Sequence, residues 1–184
     1  HDYDADLLPL LEAGLSAEEI FFRLAIEDIQ QAADLFMPLY QQSDGGDGYV
    51  SLEVSPALAH DAAGTLAQAQ ELWQRVARPN LMIKIPATKA GLPAITEALA
   101  AGINVNVTLI FALERYREVM DAYLTGLERR AAAGLPLHPF HDEAADALAV
   151  VLRQHTQKLD VGTEQPVDAE PDRFVVPPYV GHRG

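Results

Sequence analysis

The sequence predicts an α/β fold whose parallel strands form part of a barrel wall, and three observations carry that reading. Segments suited to strands and helices alternate from residue 49 to residue 134, the pattern left by parallel strands joined through crossover helices. Each of the three strand segments is polar on one face and apolar on the other. In an open doubly wound sheet both faces are covered and nearly continuously apolar, so a polar face points to a barrel interior that holds a site.

The elements follow in order. Residues 4 to 42 read as helices: Leu7, Leu8, Leu10 and Leu11 form one apolar face, and Ser16 with Glu19 makes a capping-box pattern ahead of Ile20, Phe21 and Leu24. Ile29, Ala32, Ala33 and Phe36 continue the helical spacing. The loop "SDGGDG" (43 to 48) interrupts it, and "YVSLEV" opens a strand near Tyr49. Leu66, Ala69, Leu72 and Trp73 mark a helix over 62 to 76, after which Pro79 and Asn80 lead into the strand "LMIKIP". Residues 92 to 101 are again helical, with Gly102 suited to the C-terminal cap. "INVNVTLIF" (103 to 111) is the third strand, and a long helix runs from Leu113 towards Gly134.

Alternation sorts the strand residues by face. Ser51, Glu53 and Ser55 oppose Val50, Leu52 and Val54; Met82, Lys84 and Pro86 oppose Leu81, Ile83 and Ile85; Asn104, Asn106 and Thr108 oppose Ile103, Val105, Val107 and Leu109. A single Asn or Thr there is as well explained by polar groups satisfying one another. Glu53 and Lys84 together are harder to explain that way. Burying two charges costs several kcal/mol before their attraction counts, so such a pair is more often functional than stabilising. A lysine among apolar neighbours loses part of its preference for the ammonium form, and the neutral amine can attack a carbonyl. The resulting iminium draws electrons from a neighbouring carbon–carbon bond, provided a carboxylate or water moves the protons. Glu53, one strand away, suits that task, directly or through a water also held by Thr108. A structural Lys–Glu pair remains the competing reading.

Composition restricts the alternatives. With 184 residues, 49% hydrophobic and 22% charged, the chain suits a globular domain with a sizeable core. Its 27 acidic and 13 basic residues give a formal net charge of −14, a poor match to nucleic acid or an anionic membrane surface. An anionic substrate therefore needs a local positive site. The absence of cysteine excludes disulfides and thiolate zinc sites and makes a cytoplasmic home the simplest expectation. No stretch is long and apolar enough to span a bilayer, and "HDYDADLLPLL" does not read as a signal peptide.

Three long segments, "GYVSLEVSP", "RPNLMIKIPAT" and "GINVNVTLIFALERYREV", resemble the central strands of the transaldolase family, in the same order and with helices of suitable length between them. The resemblance spans residues 2 to 134. It implies a (β/α)8 TIM barrel of which three units are present here, preceded by helices. The implied activity is transfer of a dihydroxyacetone unit between sugar phosphates in the pentose phosphate pathway, through a lysine Schiff base and without metal or organic cofactor. By position, Lys84 matches the Schiff-base lysine, and Glu53 with Thr108 matches the pair that holds the proton-transfer water. Asn106 matches the asparagine that hydrogen-bonds the dihydroxyacetone hydroxyls. The related fructose-6-phosphate aldolases usually carry glutamine where this chain has Glu53, which favours transaldolase. Two family features are not recognised: earlier strands bearing an aspartate and an Asn-Pro-Thr motif, and a later strand with a serine and an arginine for phosphate.

Residues 135 to 184 read as a separate, unmatched segment with one helix over 142 to 158 and then a Pro-rich, acidic tail. His138, His141 and Asp142 have a spacing compatible with a metal, yet next to Pro136 and Pro139 they read better as surface residues. Arg129 and Arg130 read as complements to a helix dipole rather than a phosphate site. A catalytically silent fragment, and an aldolase that releases its enamine to water, stand as alternatives to the transferase.

Overall fold

The computed structural model describes residues 3–137. Its elements are α1 (Asp4–Glu12), α2 (Ala17–Gln42), β1 (Val50–Glu53), a 3-10 turn (Pro56–Leu58), α3 (Ala62–Val76), β2 (Leu81–Pro86), α4 (Gly91–Ala100), β3 (Val105–Thr108) and α5 (Leu113–Ala132). The strands form a parallel sheet in the order β1-β2-β3. The expected alternation of strand and helix is therefore present over its full predicted span. The helix expected over 142 to 158, and His138, His141 and Asp142, lie outside the described residues.

Local chemistry accounts for the helix ends. Ser16 Oγ accepts the Glu19 N–H, and the Glu19 carboxylate accepts the Ser16 N–H at 2.8 Å, so the capping box of α2 is closed. Asp61 Oδ1 accepts the Gly64 N–H at 3.0 Å and starts α3. The chain leaves α4 through Gly102 at φ +89°, where a side chain would also strike the Arg130 guanidinium.

Packing lies on one face of the sheet. Leu52, Val54, Leu81, Ile83, Ile85 and Val105 meet Leu72, Val76, Ile95 and Leu99 from α3 and α4 in a single buried cluster. Helix α5 is held against α4 rather than against the strands alone. Gly126 permits this close crossing, because a Cβ there would come within 2.7 Å of Leu99 Cβ and 2.8 Å of the Thr96 carbonyl oxygen. Thr96 Oγ1 donates to the Ala122 carbonyl at 2.8 Å across the same seam.

One expected boundary is corrected. The third strand was expected over 103 to 111 with Leu109 on the packed face, but it ends at Thr108. Leu109 takes a positive φ of 63° and is 56% exposed, and Phe111 is 88% exposed. The last bond on this side runs from the Ala87 N–H to the Thr108 carbonyl. Beyond it the preceding chain turns into α4, so residues after Thr108 have no strand on that side to pair with.

Asn80 ties the lower end of the sheet together. It is fully buried, and its Nδ2 donates to the Ala33 carbonyl of α2 at 2.8 Å and to the Gly48 carbonyl at 2.9 Å. Its own carbonyl accepts the Val50 N–H at 2.9 Å. Asn80→Ala removes the donor that links the Ala33 and Gly48 carbonyls, and Asn80→Asp replaces it by an acceptor. Each is expected to cost about 2–4 kcal/mol of unfolding free energy, measured by urea denaturation; a loss below about 0.5 kcal/mol, the usual range for surface changes, would show that this anchor is dispensable.

Candidate active site

Register assembles the polar face. Glu53 is the partner of Lys84 across β1 and β2, and Lys84 is the partner of Asn106 across β2 and β3. The three therefore form one row, since paired residues of a parallel sheet point to the same face. Ion pairing follows: Lys84 Nζ lies 3.0 Å from Glu53 Oε2. Thr108 is the partner of Pro86, one step nearer the C-terminal ends of the strands and on the same face by alternation. All four residues singled out in the sequence thus share one face, and the structure joins two of them directly.

The Lys84–Glu53 pair is less buried than the sequence led us to expect. Their side chains are 31% and 42% exposed. The apolar helices pack on the opposite face of the sheet, so among the described residues the polar row keeps contact with solvent. A groove of about 580 Å³ reaches Glu53 between the first turn of α2 and the end of β1, with Phe21, Phe22 and Val54 as its apolar wall and Glu18 at its side. Lys89, by contrast, is exposed in the turn before α4.

The loops that follow Glu53 and Lys84 are tied to each other. The Val54 N–H donates to the Lys84 carbonyl at 3.2 Å. The Ser55 N–H donates to Gln68 Oε1 of α3 at 2.5 Å, and Ser55 is buried just beyond the end of β1, where it lines the same groove as Glu53. Thr88 Oγ1 donates to the Ala59 carbonyl at 2.5 Å and accepts the Gly91 N–H at 2.9 Å, joining the β2–α4 turn to the β1–α3 loop. The reading of the sequence missed Gln68 and Thr88, because nothing local to either residue announces a partner 13 or 29 positions away.

Two further polar residues change role. Asn104, expected on the site face, donates through Nδ2 to the Pro79 and Leu81 carbonyls at 3.0 Å each and so secures the start of β2. Ser51 accepts a hydrogen bond from Asn106 Nδ2 at 3.1 Å. Arg129 pairs with Glu97 across the α4–α5 seam and Arg130 Nε donates to the Pro136 carbonyl, both in the last turn of α5. This agrees with a structural rather than a phosphate-binding role for them.

A lysine flanked by a carboxylate and an amide on the polar face of a parallel β/α sheet marks the chain as part of a barrel-type α/β wall. The comparisons with known proteins narrow it. The sequence matches the family described as Transaldolase/Fructose-6-phosphate aldolase over residues 1–182, and the chain belongs to that family. The match runs past Gly134, where the resemblance read from motifs stopped. Transaldolase of Mycobacterium tuberculosis (strain ATCC 25618 / H37Rv) is 48% identical over 169 residues, 91% of this chain and 45% of that protein. Transaldolase 1 of Streptomyces coelicolor is 51% identical over 164 residues, covering 89% of this chain and 43% of the relative. The transaldolase of Thermobifida fusca is 52% identical over 166 residues, 90% and 45% respectively. The chain thus spans less than half the length of these relatives. No helix among the described residues is long and apolar enough to cross a membrane.

With both partners this exposed, the ion pair contributes roughly 0–1 kcal/mol to stability. Glu53→Gln is therefore expected to shift the unfolding free energy by less than about 1 kcal/mol, read from chemical denaturation. A larger loss would make the pair a structural element of the sheet.

Proposed function

We propose that this chain carries the lysine-centred part of a transaldolase-type site, which moves a dihydroxyacetone unit from a ketose phosphate to an aldose phosphate. The observation that supports it most directly is the Lys84–Glu53 distance of 3.0 Å with Asn106 in the same row. The pair lies on the polar face beside Asn106, opposite the apolar cluster, where an amine and a carboxylate can exchange a proton.

The steps follow from the groups. Lys84 Nζ passes a proton to Glu53 or to water and its lone pair attacks the ketose carbonyl carbon, giving a carbinolamine. Loss of water forms the iminium; Glu53 is placed to supply the proton that the departing hydroxyl takes. The bond between the third and fourth carbons then breaks, its electrons moving into the iminium to form an enamine while a base takes the proton of the fourth-carbon hydroxyl. The aldose phosphate leaves. The enamine attacks the aldehyde carbon of a second aldose phosphate, which takes up a proton, and water releases the new ketose and Lys84. Asn106 holds the hydroxyls of the three-carbon unit throughout, and Thr108 shares with Glu53 the water that carries protons.

Trapping tests the central assignment. Borohydride reduction in the presence of fructose 6-phosphate is expected to label Lys84 and to leave Lys89 and Lys158 unlabelled on peptide mass mapping. Label confined to the other two would remove Lys84 from the mechanism. Glu53→Gln is expected to keep the trapped adduct while lowering turnover by about 10²–10⁴, the usual contribution of an acid–base group.

Transfer to erythrose 4-phosphate, measured beside simple cleavage of fructose 6-phosphate, separates a transferase from an aldolase. Glu53, where the aldolases usually carry glutamine, supports transfer. Because the lysine and its partner are part-exposed and β1 and β3 each have one unpaired edge among the described residues, the 184-residue chain alone is expected to turn over well below about 10 per second, the ordinary enzyme median. Steady-state transfer at that median would overturn this expectation.

A further inference from the structure

We propose that Ser51 is a positioning residue of the site: its hydroxyl holds the Asn106 side chain in the conformation that presents its amide to the bound three-carbon unit. The inference rests on the reading of Asn106 given above and goes beyond it.

Geometry carries the argument. Ser51 is the partner of Met82, and Asn106 is the partner of Lys84, so the two residues stand on strands that are not neighbours and on adjacent levels of the polar face. Strands β1 and β3 are two spacings apart, about 9.6 Å in a flat sheet. Side chains standing perpendicular to a flat sheet would keep close to that separation. Asn106 Nδ2 nevertheless reaches Ser51 Oγ at 3.1 Å. The bond closes because both side chains lean inward over β2, as they do on the inner face of a curved wall. It crosses over β2, the strand between them in the sheet order.

The contact matters because Asn106 has to be held in place to meet a substrate. The Asn side chain has a donor end and an acceptor end of nearly the same shape, and rotation by half a turn exchanges them. With Nδ2 committed to Ser51, Oδ1 is turned away from it and left as an acceptor for a substrate hydroxyl. Without the serine hydroxyl the Asn106 side chain loses this partner and is free to take other rotamers, so the amide is less often in place for substrate.

Ser51→Ala and Ser51→Thr test this, the latter keeping a hydroxyl on a strand that tolerates β-branching. The concentration of fructose 6-phosphate that half-saturates borohydride trapping on the 184-residue chain is expected to rise about five-fold in Ser51→Ala, the effect of one hydrogen bond, with the maximal trapping rate little changed. Ser51→Thr should restore it. Equal half-saturation in Ser51→Ala and the parent chain, or equal impairment of both variants, overturns the proposal. A parallel measurement separates this from the proposed function. In NMR spectra, the Asn106 side-chain amide signals, assigned through Asn106→Ala, should move in Ser51→Ala and be retained in Ser51→Thr. If no adduct forms on the parent chain, the Schiff-base reading fails, while the amide signals still decide whether Ser51 holds Asn106; unchanged signals in Ser51→Ala refute it.

Discussion

The parallel register of the three strands is the constraint on which the rest depends. It places Leu52, Ile83 and Val105 in one row facing the helices, and Glu53, Lys84 and Asn106 in the next row facing the opposite way. Because side chains alternate with a period of two, a slip of one residue would carry Lys84 into the apolar cluster and expose Ile83. Burying Leu52, Ile83 and Val105 disfavours that slip by roughly 1.5–3 kcal/mol for each side chain returned to water. The hydrophobic row thus fixes the polar one. The ion pair between Glu53 and Lys84 is a consequence of register, not its cause.

The helices and loops serve the register from both ends. At the lower end Asn80 joins α2, the loop before β1 and the start of β2, while Asn104 secures the backbone on either side of Asn80. At the upper end Gln68 and Thr88 hold the loops that leave Glu53 and Lys84. These are side-chain to backbone bonds between segments far apart in the chain. They restrain the strand ends where the chemistry is proposed, and a reactive pair displaced by an ångström loses much of the advantage of being preassembled.

Partial exposure of the lysine bears on how the site works. A lysine sealed among apolar side chains would gain reactivity from desolvation alone. Here Lys84 keeps nearly a third of its side chain in contact with solvent, so in the reaction proposed above a nearby proton acceptor matters more, and Glu53 is within direct reach. The chain belongs to the transaldolase/fructose-6-phosphate aldolase family, and the relatives it matches are more than twice as long as the aligned stretch.

By itself the sequence determined the element order, the capping box at Ser16 and Glu19, the parallel sheet and the face shared by Glu53, Lys84, Asn106 and Thr108, because all of these arise from local periodicity and short-range hydrogen bonding. A period of two along a strand is written in neighbouring residues and needs no knowledge of what lies across the sheet. Tertiary structure decided where β3 stops, since Thr108 is the last residue with a partner before the preceding chain turns away. It also decided the burial of Ser55, the structural use of Asn104, and the bond between Ser51 and Asn106. Each of these depends on segments 13 to 55 positions apart meeting in space, and a pairing over that distance is set by strand order and curvature, which no local pattern encodes.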